Sequence, residues 1–204
     1  MKLYDGGRAP NPRRVQIFLK EKGIEIGEVI QLDLNAHDHR SEAMIAKNPT
    51  GTVPFLELDD GTVISETIAI CRYFEEMQPE PALFGRNSHE RVMVEMWNRR
   101  VEFGFMARVA FSFRHLHPGA AVLEDDQNEA WGLKNQKQAV EYMPILNNQL
   151  EHNRFIAGDH LSVADITAFV SCQFMKPARI KMPDEMVHLK RWFEEMLERP
   201  STAI

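Results

Sequence analysis

The sequence predicts an α/β domain at the N-terminus followed by an all-α domain at the C-terminus. Three observations carry this. Short apolar runs alternate with helix-period segments over about the first 77 residues. Gln78-Pro79-Glu80-Pro81 then interrupts the pattern with two prolines three positions apart. Beyond it no segment needs to be a strand, and each long segment has helical periodicity.

Each element has a local reason. Lys2 to Asp5 is a strand candidate, and Pro12-Arg13-Arg14-Val15 opens a helix whose Val15, Phe18 and Leu19 share one face and whose stop is Gly23. Gly27 to Leu34, rich in Val, Ile and Leu, reads as a second strand. A polar loop and a short helix near Ser41 to Ala46 follow. Val53 to Leu58 and Thr62 to Ile64 then make a hairpin across Asp59-Asp60-Gly61. The next helix is expected to begin at Ser65 and end near Met77, giving the order β-α-β-α-β-β-α.

The second part opens with one long helix, Asn87 to about Leu116. Another runs from about Asp126 to His152 with Pro144 inside it, where a kink is expected. Ser162 to Met175 and Asp184 to Leu197 complete the set. Ser162 and Asp165 form a variant capping box, with Leu161 and Ile166 placed as a hydrophobic staple. The expected organisation is residues 1–78 as the α/β domain, 79–86 as linker and 87–204 as the helical domain.

Composition bounds the function classes. With 204 residues, 44% hydrophobic and 26% charged, the chain is globular and able to bury a core. Residues 1–80 carry nine Lys/Arg against fourteen Asp/Glu, so most of the net charge of −6 sits there. No basic stripe suggests a nucleic-acid partner. The charged N-terminus is no signal peptide, and the uncharged stretch from Ile166 to Met175 is about half of a roughly 20-residue membrane span. A soluble, cytoplasmic protein is expected. Cys71 and Cys172 lie far apart with no CxxC, which argues against a disulfide framework and a Cys-based zinc site. Both read as buried helix residues. His37-x-His39 and His115-x-His117 lack a carboxylate or Cys at ligand spacing, so they read as loop and helix-end histidines with no metal.

Two segments together describe a place to hold a peptide. Val53 ends at Pro54, so its backbone N–H and C=O can face a guest strand if the chain stays open there. An ordinary trans proline ending an edge strand is the alternative reading. Ser65-Glu66-Thr67 running into Ile68-Ala69-Ile70 reads as a helix start, which offers free N–H groups and a positive dipole end to a carboxylate, or merely caps itself. Asn11, flanked by Pro10 and Pro12, meets the same edge of the sheet at another helix start.

Taken in order, Pro10-Asn11-Pro12-Arg13-Arg14-Val15, the loop with His39-Arg40, Asn48-Pro49 through Val53-Pro54, Glu66-Thr67 with Ala69-Ile70, and the Ser162 to Asp165 box resemble the glutathione transferase family over essentially the whole chain. The Pro-Asn-Pro loop is most similar to bacterial-type members. The resemblance implies a thioredoxin-like first domain with a cis Val53-Pro54 bond, a helical second domain, and a homodimer. It further implies that glutathione serves as co-substrate, with a small electrophilic molecule as second substrate. Val53 would pair with the cysteinyl part of glutathione beside Pro54. Glu66 and Thr67 would take the γ-glutamyl end, and His39 or Arg40 the glycyl carboxylate.

Ala9 stands where relatives carry a hydroxyl or thiol, so it can supply neither. Tyr4 lies in the first strand. Asn11 and the N–H groups at the first helix start are therefore the expected thiolate stabilisers, with Arg13 a further electrostatic candidate. Phe103, Met106, Arg108 and Phe111 on the long helix are the expected wall of an apolar second-substrate pocket. Two other readings stay open on the same fold: glutathione-dependent reduction of a disulfide or peroxide, and a non-catalytic module that binds a protein partner.

Overall fold

The structure, a computed structural model, describes residues 1–203. They form two compact units, Met1–Ala82 and Leu83–Ala203.

The first unit runs β1 (Lys2–Asp5), α1 (Pro10–Lys22), β2 (Glu28–Gln31), α2 (Glu42–Lys47), β3 (Phe55–Glu57), β4 (Val63–Ser65) and α3 (Thr67–Met77), with a 3-10 turn at Asp38–Arg40. The strands make one mixed sheet in the order β2-β1-β3-β4. β1 is parallel to β2, the arrangement a helical crossover permits, and antiparallel to β3, which turns back into β4. Leu3, Tyr4, Phe55 and Leu56 on the inner strands, Val15, Ile17, Phe18 and Leu19 of α1, and Ile70, Cys71 and Phe74 of α3 are all buried. Gly23 ends α1 in the left-handed region at φ 64°, where glycine carries no Cβ penalty, and the carbonyls of Leu19 and Lys20 are taken by the following N–H groups.

Several boundaries differ from the sequence reading. α1 starts at Pro10, two residues before the expected Pro12. β2 stops at Gln31, not Leu34, because the Asp33 carboxylate accepts the N–H groups of Asn35 (2.8 Å) and Ala36 (3.3 Å) and turns the chain. Ser65 does not open α3. It is the last residue of β4, paired with Phe55, and the helix begins at Thr67.

The second unit contains α4 (Ser88–Val101), α5 (Ala107–Leu116), α6 (Glu129–His152), α7 (Val163–Phe174) and α8 (Val187–Leu197). The expected long helix is continuous through α4 and α5 but carries a π turn at Glu102–Met106. Gly104 lies in that turn, where a Cβ would meet Tyr142 Cε2 of α6 at 2.3 Å, so glycine leaves room for the Tyr142 ring against the turn. α6 starts at Glu129, capped by the Asn128 side chain on the Trp131 N–H, and helical structure continues through Pro144.

α7 is the centre of this unit, with every residue from Val163 to Cys172 buried. Its start is built on Asp165. One carboxylate oxygen accepts from the Ser162 N–H (3.0 Å) and hydroxyl (2.8 Å); the other accepts from the Ile156 N–H (2.8 Å) and the Trp192 indole (3.0 Å). Burial pushes the Asp165 carboxyl up to about 6, although all four donors pull it down. Among the described residues no helix is long and apolar enough to cross a membrane.

Candidate functional site

The pairing register brings three chain segments to one end of the sheet of the first unit. Tyr4 pairs with Phe55, and Phe55 with Ser65. Stepping past the last pair of β1 and β3 sets Gly6 beside Val53, and beyond Ser65, the partner of Phe55, the chain runs through Glu66 into the start of α3 at Thr67. The first contact is close: a Cβ on Gly6 would lie 2.7 Å from Val53 Cγ2 and 3.1 Å from Leu34 Cδ1. Gly6 is thus required by the approach of the first loop to Val53, a role the sequence reading missed. Its signal was the Gly6-Gly7 pair directly after a strand.

The Val53-Pro54 peptide bond is cis. Asn48, buried, donates to the Thr52 carbonyl at 2.9 Å and accepts from the Thr50 hydroxyl at 2.8 Å, which pins the chain just before Val53. Val53's own N–H and C=O have no hydrogen-bond partner among the described residues. They are free to pair with an extended guest.

After Ser65, the partner of Phe55, the chain leaves β4 through Glu66, which holds φ 71° and ψ 122°. A non-glycine residue there costs on the order of 1–3 kcal/mol, a strain that clusters at binding sites. The turn starts α3 abruptly. No side chain caps it, and the first helix-type bond is Ile70 N–H to Glu66 C=O, so the N–H groups of Thr67, Ile68 and Ala69 stay open at the positive end of the helix. Glu66 is exposed and Thr67 buried.

At the first loop, Ala9 is the residue before α1 and contributes no side-chain cap. The supply of N–H groups is smaller than expected. Pro10 and Pro12 have none and Arg13 N–H is spent on the Ala9 carbonyl at 3.1 Å, which leaves the Asn11 N–H. Arg14, buried, donates from Nη1 to Asn11 Oδ1 at 3.1 Å. With its carbonyl occupied, the exposed Asn11 amide has its Nδ2 donors left for a ligand. The loop is also held by Gln16, whose Nε2 reaches Asp5 Oδ2 (2.7 Å) and the Gly7 carbonyl (3.2 Å). Arg13 is half-buried, and burial first, then Arg8, pulls its guanidinium below the ordinary arginine range.

The 38–40 turn packs on the loop before Val53: a Cβ on Gly51 would sit 3.5 Å from Arg40 Cγ and 3.9 Å from the His39 carbonyl. His39 is buried, and its Nδ1 has no partner. Burial, with Arg40 and His37 adding to it, lowers its pKa, so His39 is neutral at pH 7. Arg40 is exposed.

Tyr4 is committed elsewhere. Its hydroxyl donates to Glu57 at 2.6 Å, its ring stacks on Phe55 at 4.2 Å, and burial raises its pKa. In the second unit Phe103 and Met106 lie in the π turn and Arg108 and Phe111 in α5. Phe103 is 65% exposed under the Arg99 guanidinium, Phe111 lies beside Trp131 and His115, and Arg108 donates to Asn135 at 3.1 Å. His115 and His117 each spend Nδ1 on a backbone N–H, of Asn128 and Gly119, both at 3.1 Å. Cys71 and Cys172 are buried free thiols, and burial pushes the latter up to about 12.

Comparison with known proteins follows the same division of the chain. The family model described as glutathione S-transferase, N-terminal domain matches residues 9–77, and that for the C-terminal domain matches residues 106–200. Glutathione S-transferase 2 of Saccharomyces cerevisiae is 35% identical over 98% of this chain and 87% of its own length. Glutathione S-transferase F12 of Arabidopsis thaliana is 28% identical over 98% of this chain and 94% of its own. The crystal structure of a glutathione S-transferase domain-containing protein from Marinobacter aquaeolei superimposes with a TM-score of 0.95, at 40% identity and 100% coverage of both chains. The mixed sheet with α1 and α3, followed by the helical unit, is the fold of these structures.

Proposed function

The chain belongs to the glutathione S-transferase family, and we propose that it presents the thiolate of glutathione to an electrophilic, partly apolar substrate. The observation that carries this is Val53, packed against Gly6 with both backbone polar groups free, together with the uncapped start of α3 that follows the partner strand β4. An extended tripeptide suits these two features. Its cysteinyl residue pairs with Val53 in antiparallel fashion next to cis-Pro54. Its γ-glutamyl carboxylate takes the open N–H groups of α3 and the Thr67 hydroxyl, and Glu66 accepts from the ammonium. Arg40 meets the glycyl carboxylate as a cation and His39 as a neutral hydrogen-bonding group.

The thiol of glutathione, with an ordinary pKa of about 8.5, must lose its proton to water before its sulfur can attack. Asn11 Nδ2, the Asn11 N–H and the dipole of α1 stabilise the anion, with Arg13 adding long-range charge. The sulfur then bonds to the electrophilic carbon while the leaving group departs with its bonding pair. Phe103, Met106, Arg108 and Phe111 supply the apolar wall for that substrate. The working form is a cytoplasmic homodimer.

Thr67→Val keeps the shape but removes the hydroxyl. It raises the glutathione Kd about tenfold, the scale of one hydrogen bond to a charged group, with an unchanged melting temperature; calorimetry giving a wild-type Kd sinks the carboxylate assignment. Asn11→Ala raises the pKa of the bound thiol by about one unit, which is about 1.4 kcal/mol of lost anion stabilisation. Thiolate absorbance titrated against pH reads this directly, and a wild-type curve leaves only the α1 start. Because Ala9 offers no side-chain donor, thiol–disulfide exchange is the second reading. Turnover on a mixed disulfide exceeding that on a chloro-nitroaromatic selects it.

A further inference from the structure

Asp5, the last residue of β1, is 2% exposed and has no cation partner among the described residues. Its backbone carbonyl takes the Leu32 N–H at 2.8 Å. Its side chain is held by two neutral amides: Oδ2 accepts from Gln16 Nε2 of α1 at 2.7 Å and from Gln31 Nε2 of β2 at 2.9 Å. Oδ1 is buried and accepts from nothing. A buried carboxylate without a counter-ion is costly, and a neutral side chain of the same shape would spare that cost. The carboxylate does one thing a neutral amide cannot. It only accepts, so both glutamines must face it with their NH₂ groups.

For Gln16 this orientation has a second effect, because the same Nε2 also donates to the Gly7 carbonyl at 3.2 Å. One amide nitrogen thereby ties the first loop to the end of β1. The loop turns at Gly7, at φ 63°, which glycine adopts freely. The cis peptide bonds are Val53-Pro54 and Glu80-Pro81, so the Gly7-Arg8 bond is trans. With its carbonyl turned to Gln16, the Arg8 N–H points to the other side of the peptide plane. No described residue accepts from that N–H, while the next one, of Ala9, closes on the Gly6 carbonyl at 3.4 Å. A Gln16 amide turned over would set its oxygen against the Gly7 carbonyl, and the peptide would have to rotate away. The loop begins at Gly6, against Val53, and ends at Asn11.

Given the glutathione reading above, we propose that Asp5 and Gln16 are positioning residues for the thiolate. Asp5 orients the Gln16 amide, Gln16 fixes the Gly7 carbonyl, and the Arg8 N–H is thereby held as a donor to the glutathione sulfur beside Asn11. The sulfur belongs to the cysteinyl residue paired with Val53, the residue that Gly6 touches, which places it next to this loop.

The test titrates the thiolate absorbance of bound glutathione against pH in four full-length proteins: wild type, Asp5→Asn, Gln16→Met and the double variant. Gln16→Met keeps the length of the side chain without its donor. It raises the pKa of the bound thiol by about one unit, so that turnover of a chloro-nitroaromatic at about pH 6 falls about tenfold and recovers once the thiol is fully ionised. The glutathione Kd at about pH 6 stays within about twofold, because the carboxylate contacts of the tripeptide lie elsewhere. A merely structural role would lower the melting temperature and leave the thiol pKa in place. Asp5→Asn raises the thiol pKa by more when Gln16 is present than when methionine replaces it. The direct effect of removing a charge is the same in both backgrounds and cancels, and Arg8, Arg13 and Arg14 are present in all four proteins. Gln16→Leu takes the place of the methionine variant if that one does not fold. A wild-type thiol pKa in Gln16→Met overturns the proposal and leaves the glutathione reading standing, and so does an equal shift from Asp5→Asn with and without Gln16. Absence of glutathione binding in the wild type overturns both.

Discussion

Asp165→Ala is expected to lose about 3–5 kcal/mol of stability, a large part of the 5–15 kcal/mol that an ordinary domain possesses. Four donors converge on this carboxylate from three places in the chain: the start of α7, Ile156 before it, and Trp192 on α8. Alanine leaves all of them buried without an acceptor. Chemical denaturation reads the loss as an earlier midpoint with an unchanged slope. A midpoint at the wild-type value would show that water replaces the carboxylate at no cost.

The pH dependence has a definite sign. The Asp165 carboxyl titrates at about 6 in the folded protein and near 3.8 otherwise. Between these values the folded state holds a proton that the unfolded state has released. The stabilisation linked to this group is therefore fully present below about 3.8 and is lost as pH rises through about 6, a change of about 3 kcal/mol. Carboxylates held down by partners, such as Glu57 beside Lys47 and Asp184 beside Lys190, act in the opposite direction as pH falls. Subtracting the Asp165→Asn stability curve from that of the wild type cancels them. The difference must increase as pH falls from 6 to 4; a flat difference rejects the assignment.

Lys22→Met is expected to cost a similar amount, about 3–5 kcal/mol, in the first unit. The Lys22 ammonium is fully buried at the last turn of α1. It reaches Glu75 of α3 at 2.5 Å and the carbonyls of Gln78 (2.7 Å) and Pro79 (3.1 Å). Methionine fills its volume but abandons a buried carboxylate and two carbonyls. The double variant Lys22→Met with Glu75→Leu recovers part of the loss, since it removes the buried negative charge that Lys22 had balanced. Urea midpoints of the four proteins close the cycle. No recovery in the double variant would mean that the carbonyls, not the carboxylate, dominate.

Those two buried carboxylates also mark how far the sequence could be read. Ser162 and Asp165 announced a helix start from their spacing alone, and the structure has it there. That the same carboxylate anchors Ile156 and Trp192 depends on contacts nine and 27 residues away. Lys22 and Glu75 lie on two different helices, and nothing in their spacing joins them. Their pairing exists because α1 and α3 lie side by side. The π turn escaped a periodicity argument because one wider turn barely disturbs a 29-residue apolar pattern, and the Tyr142 ring that packs on its Gly104 is 38 residues distant.

Locally encoded features were legible in the chain itself. The order of elements follows from apolar period, the hairpin from Asp59-Asp60-Gly61, the stop of α1 from Gly23, and the family resemblance from Asn11, Val53-Pro54 and Glu66-Thr67 in their order. Each rests on torsion preferences or neighbours within a turn or two. The site was decided by tertiary structure, because strand register sets its geometry. Pairing Tyr4 with Phe55 brings Gly6 beside Val53, and pairing Phe55 with Ser65 sets where the chain enters α3; a shift by one residue turns each strand side chain to the opposite face. Burial likewise made His39 neutral and placed Arg14 on the Asn11 carbonyl, leaving its amide donors for a ligand. Such effects depend on what surrounds a residue in three dimensions, which the identity of the residue and its neighbours in the chain does not specify.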